Sequence, residues 1–185
     1  IKLIILYSQM KLLCYKIAET QTHQIGVLQG GLIYNLNVFF GDISLIDLIQ
    51  IDDYQNKIKS FLNKENRLNH NLKDIVLLPP VPKPNSFRDA YAFRQHVKTC
   101  RENRGSQIIP EFDQFPVFYF SNHNSMFADR ENIPIMPDHF NQLDYELEFA
   151  IIIGKGGKNI LSKDAEKHIA GFCILNDLSA RGLQM

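Results

Sequence analysis

The stretch LDYELEFAIIIG, residues 143–154, places three carboxylates at every second position: Asp144, Glu146 and Glu148. Apolar residues occupy the positions between them. Alternation with a period of two is typical of a β-strand, so the three acids are predicted to share one face. Like charges on one face repel, and burying each without a partner costs on the order of several kcal/mol. The pattern therefore predicts either a solvated face or a bound cation.

The apolar run FAIIIG after the acids predicts a strand that is buried on both faces, which favours the cation. Asp177 ends a second predicted strand, separated from the first by one short helix, as is usual for neighbouring strands. Hard divalent cations such as Mg²⁺ and Ca²⁺ prefer oxygen ligands. We predict a cation site formed by Asp89, Glu146, Glu148 and Asp177. Asp144, at the entrance of its strand, is left out of this set.

A predicted helix adds an acid–base pair. Ser86 and Asp89 approximate a capping box and Gly105 supplies a stop, so a helix is predicted between them. Four residues would share one of its faces: Asp89, Phe93, His96 and Cys100. Asp89 and His96 would then point the same way, separated by roughly 10 Å of helix rise. This favours metal-assisted acid–base chemistry, with a mixed surface face as the alternative and Cys100 as core filling.

The sequence also predicts the secondary-structure elements and the domains that position these residues. Glycines 30 and 31 between two apolar runs predict a hairpin within residues 25–39, and residues 43–66 are predicted to form a helix. Four prolines in residues 79–84 predict a boundary. The predicted divisions are a non-native leader (1–9), a small N-terminal domain (10–78), a proline-rich linker (79–85) and a catalytic domain (86–185).

Composition narrows the class of protein. Twenty basic and twenty acidic residues cancel, so net charge argues for neither nucleic acid nor an anionic membrane as a partner. The three cysteines form no CxxC pair, which predicts neither a zinc knuckle nor a disulfide framework and favours a cytoplasmic protein. With 45% hydrophobic residues, the chain can bury a core.

Four segments together resemble the fumarylacetoacetate hydrolase family: FRDAYAFRQHV, FPVFYFSN, LDYELEFAIIIGKGGKNI and HIAGFCILNDLSARGLQ. The resemblance implies an α+β fold, with a small mixed α/β N-terminal domain followed by the first part of the family's β-rich roll. It implies that the four acids hold Mg²⁺ or Ca²⁺, with Mn²⁺ as another option, and that His96 is the general base. Tyr91, Tyr119 and Gln184 would contact substrate, and Arg181 would lie close to the metal.

An arginine that grips the substrate carboxylate is also implied, with Arg101 and Arg104 both candidates. The implied reaction is hydrolysis of a carbon–carbon bond in a β-diketone-like 2-oxo acid, of fumarylacetoacetate or acylpyruvate type, through a metal-bound enolate. Phe118 replaces a glycine that the fumarylacetoacetate enzyme has, so the substrate stays open. Decarboxylation, hydration or isomerisation of a 2-oxo acid is the first alternative, and a non-catalytic protein with a structural cation is the second.

The resemblance further implies a small carboxylic acid as substrate and a homodimer as the assembly. It breaks off at Gln184, whereas the family continues with a lysine and backbone groups around the substrate. We therefore expect residues 1–185, expressed alone, to aggregate and to show no turnover.

Overall fold

The structure is a computed structural model that describes residues 2–5, 10–17, 22–134 and 142–184. The chain forms two compact units. One comprises Ile1–Pro82 together with Phe127–Met185, and the other comprises Lys83–Met126. We refer to them as the sheet unit and the small unit. The domain boundaries drawn from the sequence stay a prediction.

Within the described residues, the sheet unit contains one antiparallel sheet of eight strands in the order β5-β4-β3-β2-β1-β10-β9, with β6 paired to β2. Its strands are β1 (Lys2–Ile5), β2 (Lys11–Ile17), β3 (Gln24–Gln29), β4 (Leu32–Asn35), β5 (Asn69–Asn71), β6 (Ile75–Leu78), β9 (Leu143–Ile153) and β10 (Ile169–Ala180). The small unit contributes a two-stranded antiparallel sheet of β7 (Arg88–Ala90) and β8 (Phe118–Phe120).

The helices are short. They are α1 (Asn37–Phe40), α2 (Leu45–Gln50), α3 (Tyr54–Leu62), α4 (Arg94–Asn103) and α5 (Arg181–Gln184). Short 3₁₀ segments cover Leu72–Asp74, Pro110–Asp113 and Ser162–His168. In the described part of the chain, no helix is both long enough and apolar enough to cross a bilayer.

The core of the sheet unit lies on both faces of β2. On one face, Leu12 and Cys14 pack with residues of β3, α2 and α3, and Leu48 and Ile58 in those helices are fully buried. On the opposite face, Leu13 and Tyr15 pack against Ile33 of β4. Burial of apolar surface on both sides makes β2 the centre of this unit's stability.

The predicted hairpin is confirmed. Gly30 and Gly31 join β3 to β4 with φ of 60° and 83°, a conformation that suits glycine and matches the twist of a two-residue hairpin. The single helix predicted over residues 43–66 is wrong, because the chain breaks it into α2 and α3. Ile51 is extended and Asp53 takes a left-handed φ of 59°, which interrupts the helical hydrogen bonding.

The strand that contains the proposed metal ligands was predicted to be buried on both faces, and this is wrong in the described structure. The apolar side chains of β9 are exposed, with 71% of Leu147 and 58% of Phe149 accessible to solvent. β9 is also the last strand in the order of described strands, so among these strands only β10 pairs with it. The short helix predicted between these two strands is a 3₁₀ segment, Ser162–His168.

Candidate metal and acid–base site

The acidic face of the sheet is set by the register of β9 and β10. These strands pair over eleven Cα positions, with Glu146 opposite Asp177 and Glu148 opposite Leu175. Directly opposed residues of an antiparallel pair project to the same face, so Glu146, Glu148 and Asp177 share one face. Leu175 on that face is buried, whereas the opposite face of β9 is exposed. The acids therefore occupy the inward face of the strand pair.

Two of these acids approach each other closely. One carboxylate oxygen of Glu148 and one of Asp177 lie within 4.8 Å of each other. Both side chains are partly buried, which strengthens the repulsion between the two negative charges. Oxygen donors at such a separation can bind a common hard divalent cation.

The third acid has a basic partner. Arg181, the first residue of α5, places Nη2 2.6 Å from Glu146 Oε1 and 3.0 Å from Asp144 Oδ2. The backbone N–H of Tyr145 and then the Arg181 guanidinium hold the pKa of Asp144 below its usual range. The Glu146 carboxylate in turn raises the pKa of Arg181, so the guanidinium stays charged.

The pairing of Asp144 with Arg181 was not anticipated from the sequence, which placed only Arg181 close to the metal. The antiparallel pairing of the two predicted strands could have indicated this contact. Arg181 follows the end of β10, and antiparallel register brings that end beside the start of β9 at Asp144. A carboxylate has two oxygens, so the contact of one Glu146 oxygen with Arg181 leaves a second oxygen in the same group that can ligate.

Asp89 lies in the small unit, and the helix predicted to hold it is wrong at this position. Residues 88–90 form β7, in which Asp89 is opposite Tyr119 of β8. Further bonds extend the ladder, from Tyr91 N–H to the Val117 carbonyl at 2.9 Å and from Ser121 N–H to the Phe87 carbonyl at 3.1 Å. Residues 88–91 therefore pair with the aromatic strand β8, and the helix begins only after them. The Tyr119 hydroxyl donates a hydrogen bond to the Asp89 carboxylate.

His96 lies on α4, which begins at Arg94, so His96 and Asp89 do not share a helical face as predicted. The exposed imidazole contacts two groups of the same unit. The Cys100 sulfur is 3.6 Å from Nε2 and 3.8 Å from Nδ1, and the Tyr91 ring meets it edge-to-face at a centroid distance of 6.1 Å. The predicted base and one predicted substrate residue are therefore neighbours.

The other predicted substrate-binding residues differ in exposure and in their contacts. Arg101 is partly buried, and its Nε–H donates to the Gln107 carbonyl at 2.6 Å. Arg104 is exposed at the C-terminal end of α4. Gln184 ends α5, and its side chain lies outside what the structure describes. A choice between the two arginines does not follow from these positions.

A cleft of about 360 Å³ lies beside Tyr91 in the small unit, and its existence was not predicted. Phe112, in the 3₁₀ segment, contacts the Tyr91 ring edge-to-face at 6.3 Å and lines the cleft. Asp113 at its wall is paired with Arg94 at 3.0 Å. The aromatic density of residues 112–120 is the sequence signal that could have indicated this cleft.

Paired strands with inward carboxylates, and a separate helix that presents an imidazole, define the class as an α+β protein with the groups of a metal-assisted acid–base site. Residues 85–185 match the family model described as fumarylacetoacetate (FAA) hydrolase C-terminal. Because this match covers more than half of the chain, the protein belongs to the fumarylacetoacetate hydrolase family.

Named relatives are similar over part of their length. The chain is 32% identical over 112 residues to "Oxaloacetate tautomerase FAHD2A, mitochondrial" of Bos taurus, covering 60% of this chain and 33% of that protein. It is 32% identical over 120 residues to "Oxaloacetate tautomerase YisK" of Bacillus subtilis, covering 62% and 37%. The matches thus span about a third of the length of these curated relatives.

A solved structure shares the fold. Maleylpyruvate hydrolase from Sphingobium sp. SYK-6, in complex with manganese(II) ion and pyruvate, superimposes with a TM-score of 0.66 at 22% identity. The comparison covers 92% of this chain and 59% of that one. The α+β fold with a β-rich second part, predicted from the resemblance, is confirmed.

Proposed function

We propose that the protein hydrolyses a carbon–carbon bond in a β-diketone-like 2-oxo acid, of fumarylacetoacetate or acylpyruvate type. The proposal rests chiefly on one observation, the close approach of the Glu148 and Asp177 carboxylate oxygens on the inward face of β9 and β10. Membership of the fumarylacetoacetate hydrolase family supports the proposal.

The proposed ligands are Asp89, Glu146, Glu148 and Asp177, all of them carboxylates. This donor set fits Mg²⁺ or Ca²⁺, and Mn²⁺ also prefers such ligands. Manganese is named with the maleylpyruvate hydrolase structure, which supports Mn²⁺ as a further option. A divalent cation bound there would supply Lewis-acid stabilisation of the negative charge that develops on substrate oxygens.

His96 is the proposed general base. Its exposed imidazole can accept a proton from a water molecule, and that water then attacks the substrate carbonyl. Tyr91, beside the imidazole, and Tyr119, whose hydroxyl is bonded to Asp89, are the proposed substrate contacts, together with Gln184. Arg101 or Arg104 would bind the substrate carboxylate, since a guanidinium can donate two parallel hydrogen bonds to it. Arg181 would hold Glu146 in place.

Keto–enol tautomerisation of a 2-oxo acid is the second candidate, and the names of the two relatives favour it. In that reaction His96 would remove a proton from the carbon next to the carbonyl, with no attack by water. Decarboxylation and hydration need the same acidic and basic groups. They are less supported, because both named relatives are called oxaloacetate tautomerases.

The setting of this chemistry is also proposed. A small carboxylic acid is the expected partner, with neither nucleic acid nor membrane, and the full-length protein would be a homodimer. The three cysteines are free thiols, which agrees with a reducing cytoplasm as the proposed location.

Metal binding is the first test. In the full-length protein, Glu148→Gln keeps the side-chain shape but removes a charged ligand, and Glu146→Gln does the same at the neighbouring position. We expect calorimetric titration with Mg²⁺, Ca²⁺ and Mn²⁺ to show affinity weakened by at least roughly tenfold in each variant, because losing even a hydrogen-bonding partner of a ligand typically costs roughly 10–100-fold. Glu166→Gln, at an exposed 3₁₀ position, is the matched control and should bind like the wild type. Unchanged affinity in both test variants would exclude the ligand assignment.

The reaction is tested separately with a panel of acylpyruvates and 2-oxo acids. Release of pyruvate from an acylpyruvate, measured with a coupled dehydrogenase, would support hydrolysis. Loss of the ultraviolet absorbance of enol-oxaloacetate with no product of bond cleavage would support the tautomerase. A protein that binds the cation tightly but changes none of these compounds would favour a structural cation.

A further inference from the structure

The contact between Cys100 and His96 is not explained by metal binding. The two residues are one turn apart on α4, and the sulfur is nearly equidistant from both ring nitrogens, at 3.6 and 3.8 Å. The sulfur is therefore within contact distance of both ring nitrogens. The Tyr91 ring meets the same imidazole at an interplanar angle of 88°.

An exposed histidine has considerable freedom of rotation. The terminal torsion of its ring has a broad, roughly two-fold profile, so a half-turn that exchanges Nδ1 with Cδ2 and Nε2 with Cε1 has little cost. A general base must instead keep one nitrogen directed at the proton that it removes. A polarisable sulfur, which is a weak donor and a weak acceptor, can limit this rotation without forming a strong bond.

Cys100 is well placed to do this. The helix fixes its Cα one turn from His96, and the side chain is partly buried while the imidazole is exposed. The other two cysteines have different surroundings: Cys14 is buried and donates to the Pro80 carbonyl at 3.2 Å, and Cys173 is buried within β10. A role as core filling, predicted for Cys100, describes Cys14 better.

We propose that Cys100 is a positioning residue, which holds the His96 ring in one orientation by sulfur contact, with the Tyr91 ring as a second contact. Its importance for turnover rests on the proposed function, in which His96 is the base. The contact itself is a property of α4 and can be measured without any substrate.

The test uses Cys100→Ala, which removes the sulfur, and Cys100→Ser, which retains a small donor and acceptor. Thr99→Ala is the matched control, because Thr99 is on the same helix and its hydroxyl donates to the Gln95 carbonyl at 3.0 Å, away from His96 in the hydrogen-bond pattern. In the full-length protein we expect Cys100→Ala to lower kcat by roughly three- to tenfold with KM unchanged, and Cys100→Ser to restore at least half of the loss. Thr99→Ala should leave kcat unchanged.

A second measurement is independent of activity. The carbon-bound ring proton of His96 is assigned in proton–carbon NMR spectra as the signal missing from His96→Asn. We expect that signal to move and broaden in Cys100→Ala, to return towards its wild-type position in Cys100→Ser, and to stay fixed in Thr99→Ala. Circular dichroism and urea unfolding establish that each variant is folded.

The outcomes separate the two proposals. An unchanged His96 signal in Cys100→Ala overturns the positioning role whatever the activity. A displaced signal with a kcat loss that serine restores supports it. If the wild type turns over none of the substrates, the proposed function fails, and the NMR comparison still decides whether Cys100 orients the ring. A kcat loss that serine does not restore, with a fixed ring signal, also overturns the positioning role.

Discussion

Helices α2 and α4 differ in how their first turns are capped and in how many of their side chains are buried. Helix α2 begins with a complete capping box, in which Ser44 accepts from the Asp47 N–H and Asp47 accepts from the Ser44 N–H. Its six residues include three that are buried: Leu45, Leu48 and Ile49. Most of its free energy of formation therefore comes from tertiary packing and a satisfied first turn.

Helix α4 has ten residues but buries one of them, Val97, and the side chain of its N-cap residue Phe93 makes no capping bond. It presents His96, Cys100 and Arg101 instead. The comparison indicates that the two units contribute differently: the packed side of the sheet unit supplies stability, and the small unit presents the side chains that we propose for acid–base chemistry. Changes in α2 should therefore alter unfolding, whereas changes on the polar face of α4 should alter turnover.

The largest expected effect concerns the base. His96→Asn should lower turnover by roughly two to four decades, the usual range for loss of a general base. Because the side chain is exposed, we expect the urea midpoint to stay within error of the wild type and calorimetric metal affinity to stay close to normal. A metal affinity that falls as far as turnover would make His96 a ligand or a structural residue, and the division between the two helices would then be wrong.

The next effect concerns the core. Leu48→Ala removes a fully buried side chain of α2 and should lower the free energy of unfolding by about 2–5 kcal/mol. Leu147→Ala on β9 removes the same atoms from a side chain that is 71% exposed, and should change stability by less than about 0.5 kcal/mol. Equilibrium urea unfolding of both variants measures the difference. Equal losses would mean that the apolar face of β9 is covered in solution.

These contrasts explain which parts of the molecule could be predicted from the sequence. The hairpin at Gly30 and Gly31 followed from local backbone chemistry, and the acidic face of β9 followed from its period of two. The burial predicted for β9 was wrong. An apolar sequence shows that a strand can be buried, but it does not show whether another element packs on the strand. The prediction that Asp89 lies on a helix was wrong for a related reason. Its spacing from His96 suits a helix, but the segment around Asp89 pairs with β8 instead.

The candidate site shows the same limit. Glu146 and Glu148 were predicted on one face from their alternation, and register with the neighbouring strand adds Asp177 to that face. Helical spacing placed Cys100 near His96 and strand register brings Arg181 near Asp144, but neither rule specifies the side-chain orientations that make the two contacts. The cleft beside Tyr91 and Phe112 was missed because a 3₁₀ turn has a weak sequence signal.

The smallest expected effect concerns the capping box of α2. Ser44→Ala removes the hydroxyl that accepts from the Asp47 N–H at 3.1 Å and donates to Asp47 Oδ2 at 2.6 Å. We expect a loss of about 1 kcal/mol in the free energy of unfolding, as is typical for an N-cap. Thr99→Ala in α4, where no capping bond is lost, is the control and should change stability less.

The acid of this box adds a dependence on pH. Hydrogen bonds from the Ser44 hydroxyl and then from the Ser44 backbone N–H lower the pKa of Asp47 in the folded state. A lowered folded pKa means that the ionised carboxylate stabilises the fold above the unfolded value of about 3.9, and that this contribution disappears as pH falls through the folded pKa. The gap in stability between the wild type and Asp47→Asn should therefore stay constant from neutral pH to about pH 5 and shrink in more acidic solution. Urea unfolding of both proteins across that range measures the gap, and one that widens on acidification would show that Asp47 is not stabilised as the anion.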